Sequence, residues 1–319
     1  RPQFEAALID LAALYERLRK TTQAIELYRN YIDLFPARLQ ARIKIGELYL
    51  HEQRYDEAER EFQEVLKLDG NNRDVRLTLA LIYLEREKRD KAIELMSALT
   101  RDYPTEYRII YLLGTTYEEV KSEDKALEAF RAIPVSSEYY GNAQIRIAMI
   151  LKKQKATTGA VDTLLQAIEK KKDVPGLYAF LASIYEDDKQ YAAAEEIIRQ
   201  GLQANPNSVD LHYSLGALFE KTARFEEGIQ EMKKVLELDP DHAEALNFIG
   251  YMYADKGIHL DEAEKMIQKA LKLKPGNGYM IDSLGWVFFR QNRMEEAIRY
   301  LKEASEILPD DAAILEHLG

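Results

Sequence analysis

The chain has 319 residues, 46% of them hydrophobic and 31% charged, with a formal net charge of −11 at pH 7. That balance describes a folded chain rather than a disordered one, and the excess of carboxylates excludes a nucleic-acid surface, which needs a basic stripe to neutralise phosphates. Without a single cysteine there is no disulfide, thiolate zinc site or thiol catalysis, and the composition suits the cytoplasm or an oxidising periplasm equally. No apolar run approaches the ~18 residues of a membrane helix, and Arg1-Pro2-Gln3-Phe4 resembles no signal peptide. The chain lacks an initiator Met and stops where another amphipathic helix begins, at Ile314 to Gly319, so it reads as a fragment.

In chain order, one pattern recurs: a small residue, an aromatic three places on, an alanine nine further, and a proline twelve after that. It gives Ala12, Tyr15, Ala24 and Pro36; then Gly46, Tyr49 and Ala58, with Gly70 in the proline place; then Ala80, Tyr83, Ala92 and Pro104. Gly114, Tyr117 and Ala126 follow, then a weaker copy in Ala148, Leu151 and Ala160, then Ala182, Tyr185, Ala194 and Pro206. The last three are Gly216, Phe219, Gly228 and Pro240; Gly250, Tyr253, Ala263 and Pro275, with one residue inserted near Gly257-Ile258-His259; and Gly285, Phe288, Ala297 and Pro309. The spacing is 34 residues. Each unit reads as two amphipathic helices joined by a tight turn, such as Gln291-Asn292-Arg293, with the proline stopping the second helix.

Over residues 5 to 311 this pattern resembles a tetratricopeptide repeat array, and repeats eight and nine resemble those of bacterial multi-repeat scaffold proteins. The resemblance implies an all-α fold, a right-handed superhelical α-solenoid of about nine helix-turn-helix repeats. Small residues such as Gly46, Gly114 and Ala182 let the helices of a hairpin approach, and overpacking one of them, as in Gly216→Leu, costs ~1–3 kcal/mol. No unit buries its apolar face alone, so neighbours stack. Pro134 falls inside the second helix of repeat four, which should end early and divide residues 1–134, with repeats 1–4, from 139–319, with repeats 5–9 and the start of a capping helix. The open terminal edge offers a route to oligomers.

Enzymatic signatures are absent: there is no nucleophile elbow, Walker loop, dinucleotide fingerprint or zinc-protease helix. His51, His212, His242, His259 and His317 are scattered without i, i+4 partners and read as solvated side chains, not metal ligands. Adjacent acids such as Glu118-Glu119 face different ways on a helix and make no acid–base pair. No catalytic residue, cofactor or metal is expected.

The resemblance also implies that places two, five, nine and twelve of each first helix face a concave groove. Repeats two to five put Ile43, Leu50, Leu77, Leu81, Leu84, Tyr111, Ile145 and Met149 there, an apolar strip; repeats seven to nine put Tyr213, Asn247, Tyr251, Tyr279, Asp282, Trp286 and Phe289 there. Aromatics with a few hydrogen-bonding groups make peptide anchors. Leu77, Leu81, Tyr111 and Met149 form one expected contact set, and the seven residues from Tyr213 to Phe289 the other. The clamp that similar arrays use for chaperone tails needs lysine and asparagine where this chain has Ile9 and Ala13, Ile43 and Glu47, Leu77 and Leu81. Glu16, Glu47, Glu118, Glu186 and Glu220 at the groove edge favour a neutral or basic partner. The expected function is a protein-binding scaffold, or alternatively the non-catalytic targeting arm of a larger enzyme.

Overall fold

The computed structural model describes residues 2–319, with side chains from Ala6 onward. All regular elements among the described residues are helices, arranged as successive hairpins. They are α1 (Pro2–Arg17) with α2 (Thr21–Leu34), α3 (Gln40–His51) with α4 (Tyr55–Leu68), α5 (Arg73–Glu85) with α6 (Arg89–Asp102), and α7 (Tyr107–Glu119) with α8 (Glu123–Arg131). Next come α9 (Tyr140–Lys153), α10 (Thr157–Lys170), α11 (Pro175–Asp187) with α12 (Tyr191–Ala204), and α13 (Val209–Lys221) with α14 (Phe225–Leu238). The series closes with α15 (Ala243–Lys256) and α16 (Leu260–Leu273), α17 (Gly278–Arg290) and α18 (Met294–Ile307), and a final short helix, α19 (Ala312–Leu318). The chain divides into two compact units, one up to Ala143 and one from Gln144.

Packing within each hairpin follows from a small residue on the first helix meeting a large one 16 or 17 places on. A Cβ added to Gly46 would stand 2.6 Å from Phe62 Cζ, and one on Gly114 2.6 Å from Phe130 Cε1. In the second unit the same test puts Gly216 2.9 Å from Met232 Cε, Gly250 2.6 Å from Ile267 Cγ1 and Gly285 2.8 Å from Leu301 Cδ2. Phe62, Phe130, Met232, Ile267 and Leu301 are all buried, so hydrophobic burial and close helix approach are one device.

The turn inside each hairpin has a fixed conformation. Arg19, Gln53, Glu87, Lys121, Lys155, Lys189 and Ala223 all adopt φ between 55° and 61°, the left-handed region. The N–H after each reaches back to the last turn of the first helix: Lys20 to the Tyr15 carbonyl at 2.9 Å, Arg54 to Tyr49 and Lys88 to Tyr83 at 2.8 Å. This satisfies carbonyls that the helix end leaves open. The inserted residue of repeat eight is absorbed here: α15 has 14 residues where α13 and α17 have 13, Gly257 takes φ 66°, and His259 starts α16 from a second left-handed position.

The first helices α13, α15 and α17 and the final helix α19 are started by side chains: Ser208 accepts from Leu211 N, His242 from Ala245 N, Asn277 from Met280 N, and Asp311 from Ala313 and Ile314 N. α8 runs for 9 residues against 14 in α6 and α10, as Pro134 requires.

Candidate functional site

In the second unit, the first helices α13, α15 and α17 and the final helix α19 enclose a cleft of ≈ 370 Å³. Its walls include Tyr213 and Glu220 from α13; Glu244, Asn247 and Tyr251 from α15; Tyr279, Asp282 and Ser283 from α17; and His317 from α19. Tyr213, Asn247 and Asp282 occupy the same place in three successive repeats once the inserted residue is counted, so the 34-residue repeat itself brings them together. α19 is seated by Ile314, buried at 1% exposure in a cluster with Ile281 and Ala304.

The polar groups of the cleft are unevenly partnered. Asp282 is 6% exposed, and its Oδ2 accepts from His317 Nδ1 at 2.9 Å. Its Oδ1, the Asn247 Oδ1 and the Trp286 Nε1 are buried with no hydrogen-bond partner among the described residues. Such groups are costly to leave unmet. The Glu244 carboxyl would be raised by burial, yet its hydrogen bond from Lys274 brings it below the ordinary range. Burial pushes the Glu220 carboxyl up, with neighbouring Lys221 opposing, while Lys221 itself bonds Glu186 at 2.5 Å. The Tyr213 and Tyr251 phenols are raised by burial and by the surrounding carboxylates.

Trp286 and Phe289 sit beside the cleft and do not line it. The indole stacks on the Phe289 ring at 5.0 Å and on the His317 ring at 4.4 Å, and it is half-buried. Tyr279 is 57% exposed and Phe289 40%. In the first unit Leu81 is 36% exposed, whereas Ile43, Leu50, Leu77 and Leu84 are half-buried against the core, so much of the expected strip there packs internally. Tyr111 lies 5.6 Å from Phe130 and 5.5 Å from Tyr139, ring to ring. Met149 is 42% exposed and belongs, with Ile145, to the second unit.

Three histidines are not the solvated side chains expected; one, His242, caps α15 and stacks on Tyr213 at 5.3 Å. His212 is 8% exposed; its Nε2 donates to the Pro206 carbonyl at 2.9 Å and its Nδ1 lies 2.6 Å from Glu231 Oε2. His317 is a cleft residue the sequence did not show, as are Glu244 and Ser283. Of the acidic edge residues, Glu47 pairs with Lys44 at 2.7 Å, Glu186 is held by Lys221, and Glu16 accepts from Tyr28; Glu220 alone of the five lines the cleft. Among the described residues, no group of three or more His, Cys, Asp or Glu side chains is placed to hold a metal ion, and no helix is long and apolar enough to cross a membrane.

The hydrogen bond to Asp282 raises the His317 pKa against the opposing effect of burial, with Glu316 and Asp255 adding in the same direction. Because the folded value is raised, this stabilisation is complete below the ordinary histidine value near 6.5 and is lost as pH rises through the raised value. Amide exchange in α19, corrected for intrinsic rates, is therefore expected to quicken relative to α17 across that window. His317→Gln is expected to remove the pH dependence; its persistence would assign it to another group.

Family models described as tetratricopeptide repeat match residues 50–114 and 185–250, and, from a second model, 9–73 and 260–312. A TPR repeat-containing protein of Pseudomonas aeruginosa is 33% identical over 182 residues, 56% of this chain and 30% of that protein. Human protein O-mannosyl-transferase TMTC3 is 24% identical over 93% of this chain and 29% of its own length. The chain thus spans less than a third of either relative. Among solved structures, a chain of the APC/C hetero-tetramer Cut9–Hcn1 superposes with TM-score 0.55 at 16% identity, over 93% of this chain and 58% of that one. A tetratricopeptide repeat protein from Parabacteroides merdae does so with TM-score 0.52 at 16% identity, over 77% of this chain and 97% of that one. These likenesses concern the helical repeat fold.

Proposed function

The chain belongs to the tetratricopeptide repeat family, whose repeats mediate contacts between proteins, and on that premise we propose that it binds a segment of a partner protein in the cleft of its second unit. The observation that carries this reading is the pairing of aromatic walls, Tyr213, Tyr251 and Tyr279, with buried acceptors that have no partner among the described residues, Asp282 Oδ1 and Asn247 Oδ1. Aromatic side chains bury large area at small entropic cost, and unmet acceptors reward an occupant that brings donors. The chain acts here as a scaffold, and no catalytic step is assigned to it.

A random peptide library selected against the full chain tests the reading. Selected peptides are expected to lose about tenfold or more in affinity with Tyr251→Ala and little with Leu81→Ala. The reverse pattern would move the site to the first unit, with Leu77 and Tyr111. A second reading, a non-catalytic arm of a larger enzyme, draws support from the match of nearly the whole chain to part of a protein O-mannosyl-transferase. A complete reading frame carrying a catalytic module would favour it.

A further inference from the structure

We propose that the cleft selects an arginine side chain of the bound segment, its guanidinium donating to Asp282 and the Asn247 amide between tyrosine rings. This inference rests on the peptide-binding reading and names the residue that the site recognises.

Among the described residues no lysine or arginine lines the cleft, which holds the carboxylates of Glu220, Glu244 and Asp282. Lys274 takes up Glu244. Asp282, with its side chain 8% exposed, has one oxygen bonded to His317 and the other bonded to nothing among the described residues. Glu220 faces the same space, while the neighbouring Lys221 is engaged by Glu186. A buried carboxylate with an unmet oxygen and a second carboxylate without a cation across from it complement a positive charge, and they repel an acidic tail.

Shape then narrows the choice. Lysine is a point charge, whereas guanidinium is planar and carries five N–H donors in a rigid fork that can reach separate acceptors while its faces rest on aromatic rings. The chain offers an internal precedent: the planar His317 ring stacks on Trp286 at 4.4 Å and donates to Asp282. A partner's guanidinium repeats that chemistry at the buried, unpartnered oxygen of the same carboxylate.

The test uses peptides selected from the random library on the full chain. Arginine is expected to recur at one position, and its replacement by citrulline, which keeps the shape and loses the charge, is expected to weaken binding at least about tenfold. Lysine at that position is expected to bind less well than arginine. Asp282→Asn is expected to shrink the arginine-to-citrulline ratio towards one. Because that change also touches the contact with His317, Glu220→Gln is the second variant, expected to shrink the same ratio while leaving the thermal transition in place. Peptides that depend on Tyr251 but lack arginine, or that bind equally with citrulline, overturn the arginine inference and leave peptide binding standing. Peptides that bind independently of Tyr251, or no selected peptide at all, overturn both.

Discussion

Phe62→Ala is expected to destabilise the first unit by about 3–5 kcal/mol, read as a fall in denaturation midpoint. The ring is 1% exposed and fills the space that Gly46 leaves open, 2.6 Å from where a Cβ on that glycine would stand. Truncation therefore loses the transfer free energy of the whole ring and leaves a cavity between α3 and α4, whose backbones are already in close approach and can collapse little further. The reciprocal change follows from the same contact. Gly46→Ala is expected to cost about 1–3 kcal/mol by overpacking, and combining it with Phe62→Leu to cost less than the sum of the two changes. Strict additivity would mean that the glycine and the ring are not one packing unit.

The second large effect concerns a buried hydrogen-bonded pair. Glu231→Ala is expected to cost about 1–3 kcal/mol, because it leaves the buried His212 Nδ1 without its hydrogen-bond partner. Both side chains are 10% exposed, and the imidazole is fixed at its other nitrogen by the Pro206 carbonyl. Lys234, 2.8 Å from the other Glu231 oxygen, loses its partner too, but it is half exposed and contributes little. Replacing both members, His212→Phe with Glu231→Leu, is expected to be milder than Glu231→Ala alone, since apolar groups of similar volume carry no desolvation penalty. A double variant worse than the single would show that the pair contributes net stability.

How much of this was legible in the sequence depends on what produces a signal at fixed spacing. Gly216, Gly250, Gly285 and the closing prolines recur every 34 or 35 residues because close helix approach and helix termination admit few residue types. The large partners, Phe62, Phe130, Met232, Ile267 and Leu301, follow at 16 or 17 residues, but many apolar side chains do that job, and the signal dissolves among them. The left-handed turn residues are legible least: arginine, glutamine, glutamate, lysine and alanine all adopt that conformation here because the hairpin geometry imposes it.

The site divides in the same way. Tyr213, Asn247, Tyr251, Tyr279 and Asp282 were placed on one face by repeat register, and in the structure they line one cleft. Trp286 was expected in the groove and instead backs it, because His317 and Phe289 cover the indole faces. His317 gave no signal, since it lies 35 residues after Asp282, one place out of register, and reaches it only through the seating of α19 by Ile314. In the first unit, register placed Leu77 and Leu84 on the same face as Leu81, but helix packing draws the first two against the core.

We propose that a partner segment lies in the cleft between α13, α15, α17 and α19. The most direct measurement is chemical-shift mapping of a library-selected peptide on the isotope-labelled full chain, in which Trp286 supplies the single indole N–H resonance. The largest shifts are expected at Tyr213, Asn247, Tyr251, Asp282 and the Trp286 indole. Shifts concentrated instead on Leu77 and Leu81 of α5, or on the second helices α14, α16 and α18, with the indole signal unmoved, would contradict it.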